Sequence, residues 1–120
     1  MSVLDGSVGQ GGANHGGDVR LVQHLLNDDL GRNGGTLLAV DGKAGPKTTA
    51  AIVAYQKKYG LTADGRVDVR GSTIQKLTSD HLKALSASII PFRNVTGPSI
   101  DRGVASNALG NYWKALKKPA

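Results

Sequence analysis

Two stretches decide the fold of this 120-residue chain: Asp41-Gly-Lys-Ala-Gly-Pro-Lys-Thr-Thr-Ala-Ala-Ile-Val-Ala-Tyr-Gln-Lys-Lys-Tyr-Gly60 and Asp64-Gly-Arg-Val-Asp-Val-Arg-Gly-Ser-Thr-Ile-Gln-Lys-Leu77. Each opens on an Asp-Gly pair, which favours a tight turn, and runs through a threonine into apolar helical spacing. The second copy is two residues longer before its threonine. In the first, Pro46 suits the first helical turn and Gly60 a helix stop, while Ala51, Ile52, Tyr55 and Tyr59 share one face. In the second, Ser72 or Thr73 is the expected cap of the next helix.

Upstream, Val19, Val22, Leu25 and Leu26 predict a first helix beginning near Asp18, with Asp18 as cap or first-turn acid. Asn27 to Gly35 reads as a polar loop, and Leu37-Leu-Ala-Val40 as a short strand or a core plug. Residues 5–17 hold six glycines and little that packs, so they read as a flexible or irregular lead-in. Their glycines make no dinucleotide loop, since no strand precedes them.

Downstream, Leu82, Leu85, Ile89 and Ile90 continue the helical spacing from Ile74 and Leu77, so the third helix is expected to run to about Ser86 before Pro91. Residues 91–101 read as loop. Leu109, Tyr112, Trp113 and Leu116 then predict a last helix with lysines near its end. The division expected is a Gly-rich lead-in (1–15), a three-helix body (16–78) and a C-terminal helical extension (79–120).

Val19-x-x-Val-Gln23-x-Leu-Leu, Asp41-Gly-x-x-Gly-Pro-x-Thr48, Ala51-Ile-x-x-Tyr-Gln56, Gly60-Leu-x-x-Asp-Gly65-x-Val67 and Thr73-x-x-x-Leu77 together resemble the bacterial three-helix peptidoglycan-binding domain family. The resemblance covers roughly residues 16–78. It implies a mainly α fold, a compact three-helix bundle carrying two Asp-Gly turn–helix repeats, and a non-catalytic wall-binding module. Gln23 and Gln56 sit beside apolar helix faces, where an amide with both donor and acceptor can tie a loop backbone to the core.

A peptidoglycan ligand offers sugar hydroxyls, N-acetyl groups and stem-peptide carboxylates, which calls for a shallow groove with cations, amides and an aromatic plate. Lys43, Lys47, Arg66 and Arg70 occupy equivalent positions in the two copies, and they either face one groove or are ordinary solvated surface. Asp41 and Thr48 are further candidates, although with Gly42, Gln56, Asp64 and Gly65 they are expected chiefly to hold the fold, and Tyr55 and Tyr59 are either stacking plates or core. In the extension, Phe92, Tyr112, Trp113, Lys114 and Lys117 either fold back onto the body or dock a protein partner. That partner defines the alternative function, an adaptor in a secretion system or phage particle.

Composition narrows the chemistry. There is no cysteine, hence no disulfide framework and no thiolate. His15, His24 and His81 lack metal-ligand spacing, so neither metal nor cofactor is expected. No nucleophile elbow, Walker loop or poised carboxylate pair argues for catalysis. The net charge of +6 divides into nine Lys/Arg against seven Asp in residues 1–77, and six against two in residues 78–120. Near balance in the body argues against nucleic acid. No window predicts a membrane span and no secretory leader is read at Met1. Action at the cell envelope would therefore rely on non-classical or machine-dependent export.

Overall fold

The computed structural model describes residues 3–88 and 111–119. The order is β1 (Val8–Gly9), α1 (Gly16–Arg32), α2 (Pro46–Lys58), β2 (Arg66–Val67) and α3 (Ser72–Ser88), and residues 111–117 form a further helical segment. The chain is thus mainly α, as its periodicity implies.

The three helices pack around α1, because its apolar positions cover more than one face. Val19, Leu21, Val22, Leu25 and Leu26 are all buried, and they meet Ile52 and Tyr55 of α2 and Ile74 and Leu77 of α3. Helix α2 starts with Pro46 in its first turn and stops at Tyr59, followed by Gly60 at φ 71°. Both ends fall where the proline and glycine place them.

Three local expectations need correction. Helix α1 starts at Gly16 and continues to Arg32 rather than ending in a polar loop at Asn27. The continuation is held by an Arg32–Asp28 pair at 3.1 Å, one helical turn apart, and by buried Asp29, whose carboxylate accepts from Tyr59 Oη at 2.5 Å. Residues 37–40 form no strand, and they plug the core only in part: Leu38 is half-buried against it, whereas Leu37 is 58% exposed. Neither Ser72 nor Thr73 precedes α3 as its cap: both lie inside the helix, and the Thr73 hydroxyl, like that of Thr48 in α2, is turned to a glutamine side chain.

The glycine-rich lead-in is ordered and built into the core. Leu4 and Val8 are buried, and Val8 pairs with Val67 across the two-stranded sheet while Gly9 faces Arg66. Gly9 has φ 108°, and a Cβ there would lie 2.2 Å from the Gly65 carbonyl oxygen, so only glycine lets the lead-in approach the second turn. Asn14 fastens the bend, accepting from Gly9 N at 2.7 Å and donating to the carbonyls of Gly9 and Gly12 at 3.1 Å. Composition suggested flexibility because a lone Leu and Val among glycines carry no periodicity.

Both ends of the chain meet on one buried carboxylate. Asp18, in the first turn of α1, accepts from Gly6 N at 2.9 Å and from Lys117 Nζ at 2.8 Å. Arg20 Nε donates to the Lys117 carbonyl at 2.6 Å. Trp113 is only 7% exposed within the core cluster, and Tyr112 packs beside His81 at 5.6 Å between ring centroids. The C-terminal segment therefore folds back onto the body. Phe92, Ile89, Ile90 and Leu109 lie outside the described residues.

Truncating a buried aromatic removes its transfer free energy and leaves a cavity. Trp113→Ala is expected to lower the unfolding free energy by about 3–5 kcal/mol, read from urea denaturation followed by circular dichroism. A loss below about 1 kcal/mol, the level of an exposed side chain, would mean that the segment does not belong to the folded body.

Candidate functional site

The site is built from the first Asp-Gly turn. Buried Gln23 projects from α1 into residues 41–48 and meets the turn with both ends of its amide. Its Nε2 lies 3.0 Å from Asp41 Oδ1, 3.2 Å from the Lys43 carbonyl and 3.1 Å from Thr48 Oγ1. Its Oε1 accepts from Asp41 N and Gly42 N, both at 3.1 Å. Asp41 Oδ1 also accepts from Lys43 N at 3.0 Å. Gly42, at φ 76°, makes the reversal possible.

The second turn repeats the arrangement. Gln56 Nε2 lies 3.0 Å from Asp64 Oδ1, 3.1 Å from the Arg66 carbonyl and 3.1 Å from Thr73 Oγ1. Its Oε1 accepts from Gly65 N at 2.9 Å. The two extra residues of the second copy fall at 68–71, between β2 and α3, and leave the carboxylate, carbonyl and threonine contacts of the amide in place. The sequence alone indicated that these amides tie loops to the core, and the structure supplies their partners.

Both turn carboxyls are held below the ordinary value of 3.8. For Asp41 the leading cause is the Gln23 hydrogen bond, then the Lys43 N–H; for Asp64 it is the Arg66 N–H, then Gln56.

Against the first turn lies an open groove of about 950 Å³. One wall is residues 36–41, the other the start of α2, and Leu30 forms the floor. Asp41, Lys43, Lys47 and Thr48 all line it. Lys43 and Lys47 are exposed, and among the described residues neither ammonium has an ion-pair partner. Most of the remaining lining is aliphatic: Leu37, Leu38, Ala39, Pro46, Ala50 and Ala51.

The other four expected residues do not join them. Arg66 pairs with Asp68 at 2.8 Å, and neither Arg66 nor Arg70 lines this groove, so the cations of the two copies do not converge on it. Tyr55 is buried with its hydroxyl on Asp80 at 3.2 Å, and burial raises its pKa. Tyr59 donates to Asp29, and its ring is covered by Lys76 Nζ, 4.5 Å from the centroid. Neither tyrosine lines the groove. In the C-terminal segment, Trp113 and Lys117 are engaged internally and Lys114 remains exposed.

Sequence reasoning missed Leu30, Leu37 and Leu38 as groove residues. Leu37 and Leu38 belong to a run too short for periodicity, and Asn27, read as the start of a loop, instead lies within α1 and holds the Leu38 backbone. Asn27 donates to the Leu38 carbonyl at 2.9 Å and accepts from Leu38 N at 2.7 Å. It also missed a cluster in which His81 lies 3.3 Å from Asp28 and bonds Tyr112 Oη. Burial and the neighbouring His81 lower the pKa of His24. Among the described residues no group of three or more His, Cys, Asp or Glu could hold a metal ion.

A bundle tied by two glutamine-clamped Asp-Gly turns, with a groove against the first, defines a small binding module of the peptidoglycan-binding class. The chain belongs to that family: the family model described as "Putative peptidoglycan binding domain" matches residues 15–77, just over half of its length. No curated protein and no solved structure matches the chain. No helix among the described residues is long and apolar enough to cross a membrane.

Two outcomes are expected of the clamps. Gln56→Leu leaves the Gly65 N–H and the Thr73 hydroxyl without their amide partner and should cost about 2–4 kcal/mol, read by urea unfolding, whereas exposed Gln75→Ala should cost less than about 0.5 kcal/mol. The depressed carboxyls contribute stability that is fully present above their unfolded pKa and is lost as pH falls through the lower folded values. The thermal midpoint should therefore drop as pH falls below about 4, and Asp41→Asn with Asp64→Asn should flatten that acid limb.

Proposed function

We propose that this chain is a non-catalytic module that holds bacterial cell-wall peptidoglycan in the groove against its first Asp-Gly turn and thereby acts at the cell envelope. The observation that carries the reading is the placement of Lys43 and Lys47, cations with no ion-pair partner among the described residues, at the rim of a groove in a chain of the peptidoglycan-binding family. Stem-peptide carboxylates are the anions of such a ligand, and charge-assisted hydrogen bonds to them are stronger than neutral ones. Asp41 and Thr48 shape the groove from within, since both are tied to Gln23. Arg66 and Arg70 have a lesser part, because they do not line it.

The rival reading, an adaptor docking a protein partner through the C-terminal segment, has less support. It needs Trp113 and Lys117 free, and these are buried and ion-paired with Asp18, respectively.

The test is co-sedimentation with purified insoluble peptidoglycan. The protein should be retained at low salt and progressively released as rising salt screens the cations. Lys43→Glu with Lys47→Glu should weaken retention at least about tenfold, while Arg66→Glu with Arg70→Glu should change it little. No retention of the parent chain at low salt would refute the reading.

A further inference from the structure

The lining of the groove bears on which part of the wall polymer it holds. Saccharide rings are commonly held by aromatic faces backed by a few fixed polar groups. Among the described residues nothing aromatic lines this groove; its aliphatic lining includes Leu30, Leu37, Pro46 and Ala51, with Lys43 and Lys47 at the rim. Such walls match small methyl side chains, and the rim matches carboxylates. Asp41 also lines the groove, but its Oδ1 is occupied by Gln23 and by Lys43 N.

The backbone of residues 36–40 adds an independent observation. Asn27 holds both the N–H and the C=O of Leu38, so the two groups point the same way, toward α1. That is the arrangement of an extended residue, and in extended backbone the groups of the flanking residues point to the opposite side. Among the described residues none supplies a hydrogen-bond partner to the backbone N–H or C=O of Leu37 or Ala39. The side chain of Asn27 thus serves as a neighbouring strand on one side of this segment and leaves the other side open.

We infer that the groove binds the stem peptide of the wall polymer rather than its glycan, as an extended strand added along Leu37–Ala39 with its carboxylates toward Lys43 and Lys47. Backbone addition to an open edge supplies affinity without regard to side chain, and the aliphatic walls and paired cations supply selectivity for a small, acidic peptide. The inference rests on the wall-binding reading and specifies its ligand. The free backbone groups and the two ammonium groups are the components that contact the peptide; Asn27 positions the edge.

Peptidoglycan digested by an amidase gives two soluble probes, the released stem peptides and the peptide-free glycan strands. Each is titrated into the full-length 15N-labelled chain, with intact peptidoglycan co-sedimented in parallel. Stem peptides should shift the amide resonances of Leu37 and Ala39, and glycan strands should leave them in place. Ala39→Pro removes one edge N–H while keeping the Leu38 backbone in a conformation proline tolerates before it. It should weaken peptide binding roughly tenfold with Arg66 and Gly65 resonances unmoved. Should that variant not fold, Lys43→Glu with Lys47→Glu gives the same readout. Retention of intact peptidoglycan together with binding of glycan strands and not of stem peptides would overturn this inference and leave the wall-binding reading intact. Failure of intact peptidoglycan to bind would overturn both.

Discussion

A buried primary amide that grips a turn at both ends is the interaction on which the rest of this structure depends. Gln23 and Gln56 are each 1% exposed, and each meets the carboxylate, a carbonyl and the threonine hydroxyl of its loop with one nitrogen while its oxygen takes backbone N–H groups. An amide buried without such partners would cost more than its bonds return, so each clamp is formed whole or is destabilising. With both formed, two loops that lack regular hydrogen bonding are fixed against the helices that precede them. Among the described residues the core is then built by three long helices, the 111–117 segment and two two-residue strands.

The groove follows from the first clamp. Gln23 fixes Asp41 and Lys43, and Asn27, one turn further along α1, fixes Leu38. One helix face thus sets both ends of the loop that forms the groove wall, and the cations at its rim are attached to that loop and to the first turn of α2. The equivalent surface of the second copy is used differently. The second turn lies against the lead-in, where Gln10 N donates to the Gly65 carbonyl at 2.9 Å and Val8 pairs with Val67. Two copies of one motif therefore have different surroundings: the first borders an open groove, and the second is covered by residues 8–10.

Much of this was legible in the sequence, for stated reasons. The Asp-Gly pairs, Pro46, Gly60 and the apolar spacing of α1 and α2 are local signals, and the helices stand close to where those signals put them. Gln23 and Gln56 could be read as loop ties because an amide beside an apolar stripe has few other uses. What was hidden depends on partners far away in the chain. The lead-in seemed unable to pack because Val8 finds Val67 only in the folded molecule. The run from Asn27 to Arg32 looked like a loop because the Tyr59 hydroxyl that accompanies buried Asp29 is thirty residues away. Arg66 and Arg70 matched Lys43 and Lys47 by position in the repeat, but repeat position does not fix the direction a loop faces once another segment packs against it.

The claim that the amide clamps carry the fold is tested most directly by native-state hydrogen exchange at Gly42 and Gly65, whose N–H groups donate to Gln23 and Gln56. Both lie in turns that would exchange rapidly if held only by local geometry. If the clamps are integral to the core, these amides exchange only through global unfolding, with the same protection as Leu25 and Ile52 in the helices. Exchange at the rate of an unstructured glycine peptide, while the helix amides remain protected, would contradict the account.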